Sequence, residues 1–285
     1  MSVPSSVGLA RRPPETVRGT GLHSGKSCSV TLSAGDGDVA FRTPAGRAGL
    51  GELAVLRTDQ GVAVRCPRIG FAADSIEHLF AALGGLGIRS GVVVDVEGGE
   101  VPLGDGTALL FCECLERLEA RPSAPRLSVD RDAEIRVGES RYFFAPSEET
   151  SIDVRIEFLG FAIGVEEARW DGDPASFVRD VAWARTFGFA RDRERLHAAG
   201  RALGADPRAV MVLDDGGRVQ PPGAAPRPGE FARHKLLDLV GDLYAFGGPP
   251  RGRIRAVRPG HGATHRAMAE ALETGVVVPE NARRP

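Results

Sequence analysis

A chain of 285 residues with 42% hydrophobic and 26% charged content can bury one large core or two ordinary ones, which excludes a disordered or fibrous protein. Its formal net charge of −2 excludes a nucleic acid or anionic membrane held by bulk electrostatics. No stretch reaches the roughly 18 apolar residues needed to span a bilayer, and MSVPSSVGLARRPPE lacks the apolar core of a secretory signal, so a cytoplasmic location is expected.

Residues 1–18 are polar and Pro-bearing and lead into a first strand. GTGLHSGK (19–26) sets three glycines, His23 and Lys26 in a turn-rich segment where backbone can pass close to a ligand. No strand–helix pattern follows it, so it is not a phosphate loop. CSVTL (28–32) alternates as a strand, a glycine-rich turn is expected at 35–37, and Val39–Arg42 follows. DSIEHLFAAL (74–83) reads as a helix with Asp74 as N-cap, Gly84-Gly85 as its stop, and Ile76, Leu79, Phe80 and Leu83 as its core face. His78 projects from the other side. Glu77 stands at the N3 position of a capping box with Asp74, so its role is open between capping and chemistry.

GVVVDV (91–96) is a strand, EVPLGDGTA (100–108) a turn, and Leu109–Glu119 a helix. ARPSAP (120–125) is the best linker and divides the chain into domains 1–121 and 127–285. Strand-like pieces Leu127–Val129, Glu134–Val137 and Ser151–Phe158 begin the second domain. A helix over Ser176–Arg185, TFGF (186–189), a charged helix Arg191–Ala199 and a strand Ala209–Leu213 come next. The Pro/Gly-rich loop Val219–Glu230 then feeds the central helix, Phe231–Phe246. Arg253–Val257 is a strand running into RPGHGATH, with His261 on a glycine-flanked loop ahead of a helix over His265–Glu273. Cys28, Cys66, Cys112 and Cys114 show no disulfide spacing and read as buried thiols. Only Lys26 and Lys235 among 36 basic residues are lysine, by chance or because a compact ammonium is needed there.

The central helix carries the chemistry. Leu236, Leu237, Leu239, Val240, Leu243 and Tyr244 form an apolar stripe, while His234, Asp238 and Asp242 repeat at i, i+4 and i+8 on the opposite face beside Lys235. Taken alone, HxxxD more often marks a solvated face with a Lys/Asp pair on it. With His78 it makes three ligands, leaving the fourth position of a tetrahedral zinc to water. Glu77, next to a ligand, suits a general base, and His261 an acid kept protonated by Asp242. Lys235 suits an oxyanion or an anionic substrate. Together these parts describe metal-assisted hydrolysis of an amide or ester.

GLHSGK (21–26), IEHLFAALGGLGI (76–88), DGT (105–107), ARTFGFARD (184–192), FARHKLLDLVGDL (231–243) and PGH (259–261) resemble, in order, the motifs of the UDP-3-O-acyl-N-acetylglucosamine deacetylase family, the zinc enzymes of lipid A biosynthesis. The resemblance implies an α+β fold of two domains with similar topology, each a sheet on a pair of helices, with the active site between them. It implies one zinc per chain on His78, His234 and Asp238, with Glu77 as base, His261 as acid and Asp242 as its partner. It also implies that Thr186 holds the oxyanion with Lys235 beside the metal. Substrate contacts fall on His23, Phe187, Phe189 and, by a looser match, Arg258 near the nucleotide diphosphate. The implied substrate is an acylated UDP-sugar met by a monomer. Leu53–Ala73, Leu203–Asp206 and Gly223–Gly229 depart from the family pattern. The first departure suggests a changed acyl-chain preference, or a paralogue acting on another N-acetylated sugar. A catalytically silent binding relative has no need of the paired base and acid.

Overall fold

Two five-stranded sheets built to one plan carry the fold, seen in a computed structural model that describes residues 12–58, 61–220 and 225–282. In the first, the hairpins Glu15–Thr20/Ser27–Asp38 and Ala40–Thr43/Gly46–Gly49 flank Ser90–Glu97, which enters the middle last. In the second, Ala133–Val137/Ser140–Ala145 and Thr150–Phe158/Gly164–Trp170 flank Gly252–Val257 in the same way. Each late strand pairs antiparallel with the first hairpin and parallel with the second. A parallel pairing requires a long crossover, and here the two crossover segments carry the helices that bear the candidate metal ligands. The expected α+β class with two halves of similar topology is therefore present. Among the described residues no helix is long and apolar enough to cross a membrane.

The helices are α1 (Glu77–Gly85), α2 (Leu109–Arg117), α3 (Pro174–Asp180), α4 (Arg193–Ala198), α5 (Glu230–Tyr244) and α6 (His261–Glu273). α5 lies on Thr150–Phe158 and Gly164–Trp170, α6 on Ala133–Val137, and α2 on Glu15–Thr20. α1 meets the first sheet through Phe80 against Phe41 and meets α5 through Phe80 against Tyr244, ring centroids 6.1 and 5.2 Å apart. Each half has an insertion before its main helix. In the first it is a three-stranded sheet (Ala54–Thr58, Gly61–Cys66, Phe71–Ala73); in the second, Phe187–Phe189 pairs parallel with Met211–Leu213, with α4 between them.

Four local expectations need correction. The strand over 27–38 continues through the glycines at 35–37, accommodating them as an irregularity between Ala34 and Asp38. α1 starts at Glu77 and has no capping box, because Ser75 takes φ 55° and the Asp74 carboxylate accepts instead from Arg65 at 2.5 Å. α3 stops at Asp180 because the backbone beyond it is committed elsewhere: Ala182 O accepts from Ala108 N, and Thr186 N donates to Gly106 O. α6 begins at His261 itself, behind an extended Gly260, so this histidine sits on a helix rather than a loop. The linker ARPSAP lies against the first half, with Ser123 N on Gly87 O and Arg89 on Ser123 O. Of the readings for 1–18, 53–73 and 223–229, the parts at 1–11, 59–60 and 223–224 lie outside the described residues.

The crossing of α1 and α5 is close because Gly241 has no side chain. A Cβ there would stand 2.3 Å from Glu77 O, and one at Gly84 would stand 3.1 Å from Val240 Cγ1. Gly241→Ala should therefore force the two helices apart, lowering stability by about 1–3 kcal/mol, the usual cost of overpacking. Denaturant unfolding checks the energy. A parallel loss of metal affinity checks that the same contact aligns the site.

Candidate active site

α5 is buried on both faces. Its apolar stripe enters the core, yet His234 (2% exposed), Asp238 (5%) and Asp242 (1%) are also enclosed, because α1 and α6 cover the polar face. The solvated-face alternative is thereby excluded, and every polar atom on that face needs a partner. His78 from α1 completes the group. One donor atom each from His78, His234 and Asp238 lies within 4.8 Å of the others.

Asp238 Oδ1 stands 3.4 Å from His234 Nε2 and 4.0 Å from His78 Nε2. Ligands about 2.1 Å from one ion at tetrahedral angles stand about 3.4 Å apart, so the spacing suits a single small cation. The far side of each ring agrees. His78 Nδ1 lies 3.3 Å from Thr107 O and His234 Nδ1 lies 3.3 Å from Ala184 O. A carbonyl only accepts, so both Nδ1 atoms carry the proton and both Nε2 lone pairs face the cluster. Burial pushes His234 down to about 3, which keeps its imidazole neutral and able to ligate. Asp238 divides its oxygens: Oδ2 accepts from Lys235 Nζ at 2.8 Å, leaving Oδ1 for the metal side. Burial opposes the Asp238 charge, but His234, Lys235 and the other two histidines outweigh it and hold the carboxyl below its usual range. Burial likewise opposes the Lys235 ammonium, and Asp238 with Asp242 and Glu77 keeps it above the ordinary lysine value.

The two carbonyls that orient the histidines belong to loops stitched to each other. Thr186 N donates to Gly106 O and Ala108 N to Ala182 O, both at 2.9 Å. Gly106 (φ 81°) is required, since a Cβ would fall 1.9 Å from Ala209 O. Sequence reasoning singled out DGT and ARTFGF by resemblance but missed this role, because it belongs to backbone atoms.

Glu77 opens α1 with its carboxylate accepting from Val62 N at 2.8 Å. It caps nothing. On the other side His261 Nδ1 bonds Asp242 Oδ1 at 2.8 Å, and His261 Nε2 stands 3.8 Å from Asp238 Oδ2. Burial disfavours the imidazolium, but Asp242, Asp238 and Glu77 outweigh it and raise His261 to about 9. Thr186 lies beside Phe187, whose ring packs edge-on against His234 (5.8 Å between centroids) with Lys235 Nζ 5.4 Å from the ring centre. The structure thus brings together His78, His234, Asp238, Lys235, Glu77, His261, Asp242 and Phe187.

The remaining predicted residues sit further out. Phe189 joins Phe158 and Phe161, with Arg191 against it. His23 N donates to Glu100 at 2.7 Å, and its Nδ1 accepts from Ala202 N at 3.3 Å. Arg258, at φ 53°, pairs with Glu139 at 3.1 Å. Arg185 and Glu230 were missed altogether: they form an ion pair (2.8 Å) that ties the Ala184 loop to the start of α5. All four cysteines are buried free thiols.

Residues 12–273 match the family described as UDP-3-O-acyl N-acetylglycosamine deacetylase. Proteins named UDP-3-O-acyl-N-acetylglucosamine deacetylase are similar to this chain along most of its length. The one from Phenylobacterium zucineum is 36% identical, with 92% of this chain and 91% of the relative covered. Those from Anaeromyxobacter dehalogenans (35%; 93% and 86%) and Myxococcus xanthus (33%; 90% and 83%) are comparable.

Two outcomes follow from the geometry. Protein purified without chelator should carry about one divalent ion per chain by elemental analysis. His78→Ala or His234→Ala should lose it, and Cys112→Ser should retain it. The second outcome concerns pH in the metal-free protein. Because folding raises His261 from 6.5 to about 9, its pairing with Asp242 contributes stability that is whole below pH 6.5 and lost as pH rises through 9. Asp242→Asn should then destabilise the metal-free protein most near the acidic end of that window, with the difference shrinking on the alkaline side. Urea unfolding across the range measures it, and a pH-independent difference would contradict the assignment.

Proposed function

The chain belongs to the UDP-3-O-acyl N-acetylglycosamine deacetylase family, and we propose that it hydrolyses the 2-acetamido group of UDP-3-O-acyl-N-acetylglucosamine to the free amine and acetate, an early step of lipid A biosynthesis, with zinc as its metal. The observation that carries this reading is one cluster in which a candidate metal-ligand set from α1 and α5 meets the protonated His261 imidazole of α6, with the Glu77 carboxylate close enough to act on Lys235 and His261. Two histidines and one carboxylate are the donor set of a zinc hydrolase with a position left open.

The chemistry supplied by zinc when bound is Lewis acidity, which polarises a carbonyl and acidifies water. The Glu77 carboxylate takes the proton of the attacking water, with Val62 N fixing its orientation. The Lys235 ammonium and the Thr186 hydroxyl balance the charge that develops on the acetamide oxygen. His261, its Nδ1 held by Asp242, delivers the Nε2 proton to the departing amine.

Phe187 and Phe189 offer apolar surface to the sugar or acyl chain, His23 a polar contact, and Arg258 a charge for the nucleotide diphosphate. The wider reading is a cytoplasmic monomer that takes a UDP-sugar; the net charge of −2 supports the further part of it, that no nucleic acid is bound. It has domains 1–121 and 127–285, supported by sheets that each draw their strands from one of those ranges.

One observation favours a paralogue with another N-acetylated sugar as substrate. A cavity of about 240 Å³ beside Glu77, walled by Leu56, Val62 and Ala63 of the divergent stretch, also presents Arg65 and Arg201. Acetate release decides between the two. Acylated UDP-N-acetylglucosamine should be the better substrate, with kcat/KM falling about fourfold for each buried methylene removed, the equivalent of about 0.8 kcal/mol. Equal rates with and without the acyl chain would favour the paralogue. Glu77→Gln should lower kcat by about 10²–10⁴ with the metal retained.

A further inference from the structure

His265 is the sixth histidine of the chain, and the mechanism above does not use it. It is 0% exposed, both its ring nitrogens are buried, and neither makes a well-directed hydrogen bond among the described residues. A buried imidazole in that condition is disfavoured relative to an apolar residue filling the same space. Its surroundings account for it. His265 follows His261 by one turn of α6, and Phe246 lies in the turn just beyond the end of α5, four residues after Asp242. The His265 ring packs edge-on against Phe246 (5.6 Å between centroids), which places its Nε2 3.3 Å from Asp242 Oδ1. That is the same oxygen that receives His261 Nδ1 at 2.8 Å.

A carboxylate oxygen has two lone pairs and can accept from both rings. We propose that His265 is a positioning residue for the deacetylation: its Nε2–H holds the Asp242 carboxylate in the orientation in which Oδ1 accepts from His261 Nδ1 and leaves His261 Nε2 facing the metal centre. The proposal rests on the reading of His261 as general acid. His265 touches none of the candidate ligands, and its effect passes through Asp242. The other charged or titratable groups facing this trio are Asp238 and Lys235 from α5, Glu77 from α1, and Tyr142, whose hydroxyl is 3.0 Å from Thr264 Oγ1. None of these groups hydrogen-bonds the Asp242 carboxylate, so none replaces the donor at 3.3 Å.

The test uses the zinc-loaded full chain with His265→Phe, His265→Gln, Asp242→Asn and the double variant His265→Phe/Asp242→Asn. Acetate release gives kcat and KM, and the imidazole N–H proton spectrum reports the His261 Nδ1–H bond whether or not turnover occurs. His265→Phe keeps the ring volume and removes the donor, so kcat should fall about 10- to 100-fold with KM nearly constant, while the Nδ1–H signal broadens or is lost. His265→Gln places an N–H near the same point and should restore the signal and most of kcat. In the Asp242→Asn background the phenylalanine should add under about twofold, as expected for groups acting through one carboxylate. His265→Leu serves in place of the phenylalanine if that variant loses its zinc or its helical signal. An unchanged Nδ1–H signal and kcat in both the apolar variants and the glutamine variant would overturn the proposal, as would glutamine failing as badly as phenylalanine. If the wild-type chain releases no acetate, the acid assignment fails, and the N–H spectrum still decides the positioning claim.

Discussion

Everything at this site depends on how closely α1 approaches α5. The backbones meet where Gly241 passes Glu77 O, a place with no room for even a methyl group. Close backbones let short side chains from two helices meet: His78 from one, His234 and Asp238 from the other, each tip near a common point. The same approach encloses the polar face of α5, so charges there act at low dielectric and any missing partner is costly. Two halves with separate sheets thus share one packed core across this contact, through the chain of rings Phe41, Phe80 and Tyr244.

Inside that enclosure, two aspartates one turn apart on α5 are given different work by their neighbours. Asp238 faces the His78 and His234 imidazoles and the Lys235 ammonium, which leaves one oxygen for a cation and commits the other. Asp242 faces His261 and His265, and its charge keeps His261 protonated. Glu77 on α1 and His261 on α6, the candidate base and acid, thus come from the two helices that cover the polar face of α5, and Asp242 holds His261 protonated. The preference for lysine at 235 in an arginine-rich chain has a physical reason, since a compact ammonium fits against a single carboxylate oxygen beside the ligands. Lys26 shows no comparable place; its backbone N bonds Ser24 Oγ.

The supporting structure is largely backbone. Thr107 O and Ala184 O set the tautomers of the two candidate ligand histidines, and the loops that present them are hydrogen-bonded to each other. The Arg185–Glu230 pair then fixes one of these loops to the start of α5, where an acidic residue also suits the helix dipole. Precision at the candidate metal site comes from the fold as a whole.

The sequence alone determined the helices with strong periodicity, the line of candidate ligands on α5, the candidate base and ligand side by side on α1, and the candidate acid near the C-terminus. These are consequences of side-chain type and spacing, and spacing along a helix is local geometry. The family resemblance covered what spacing leaves open, including the pairing of distant motifs. Only the tertiary structure decided whether the polar face of α5 meets water or protein, because a periodic pattern does not say what covers each face. It also decided that Glu77 bonds Val62 N rather than capping α1, and that α6 begins at His261. Both turn on partners distant in sequence or on a single backbone dihedral. The carbonyls behind His78 and His234 lay outside side-chain reasoning, since every residue carries one and only the fold aims it. His265 stood in plain view four residues after His261, but its meaning required the position of Asp242 on another helix, which packing alone supplies.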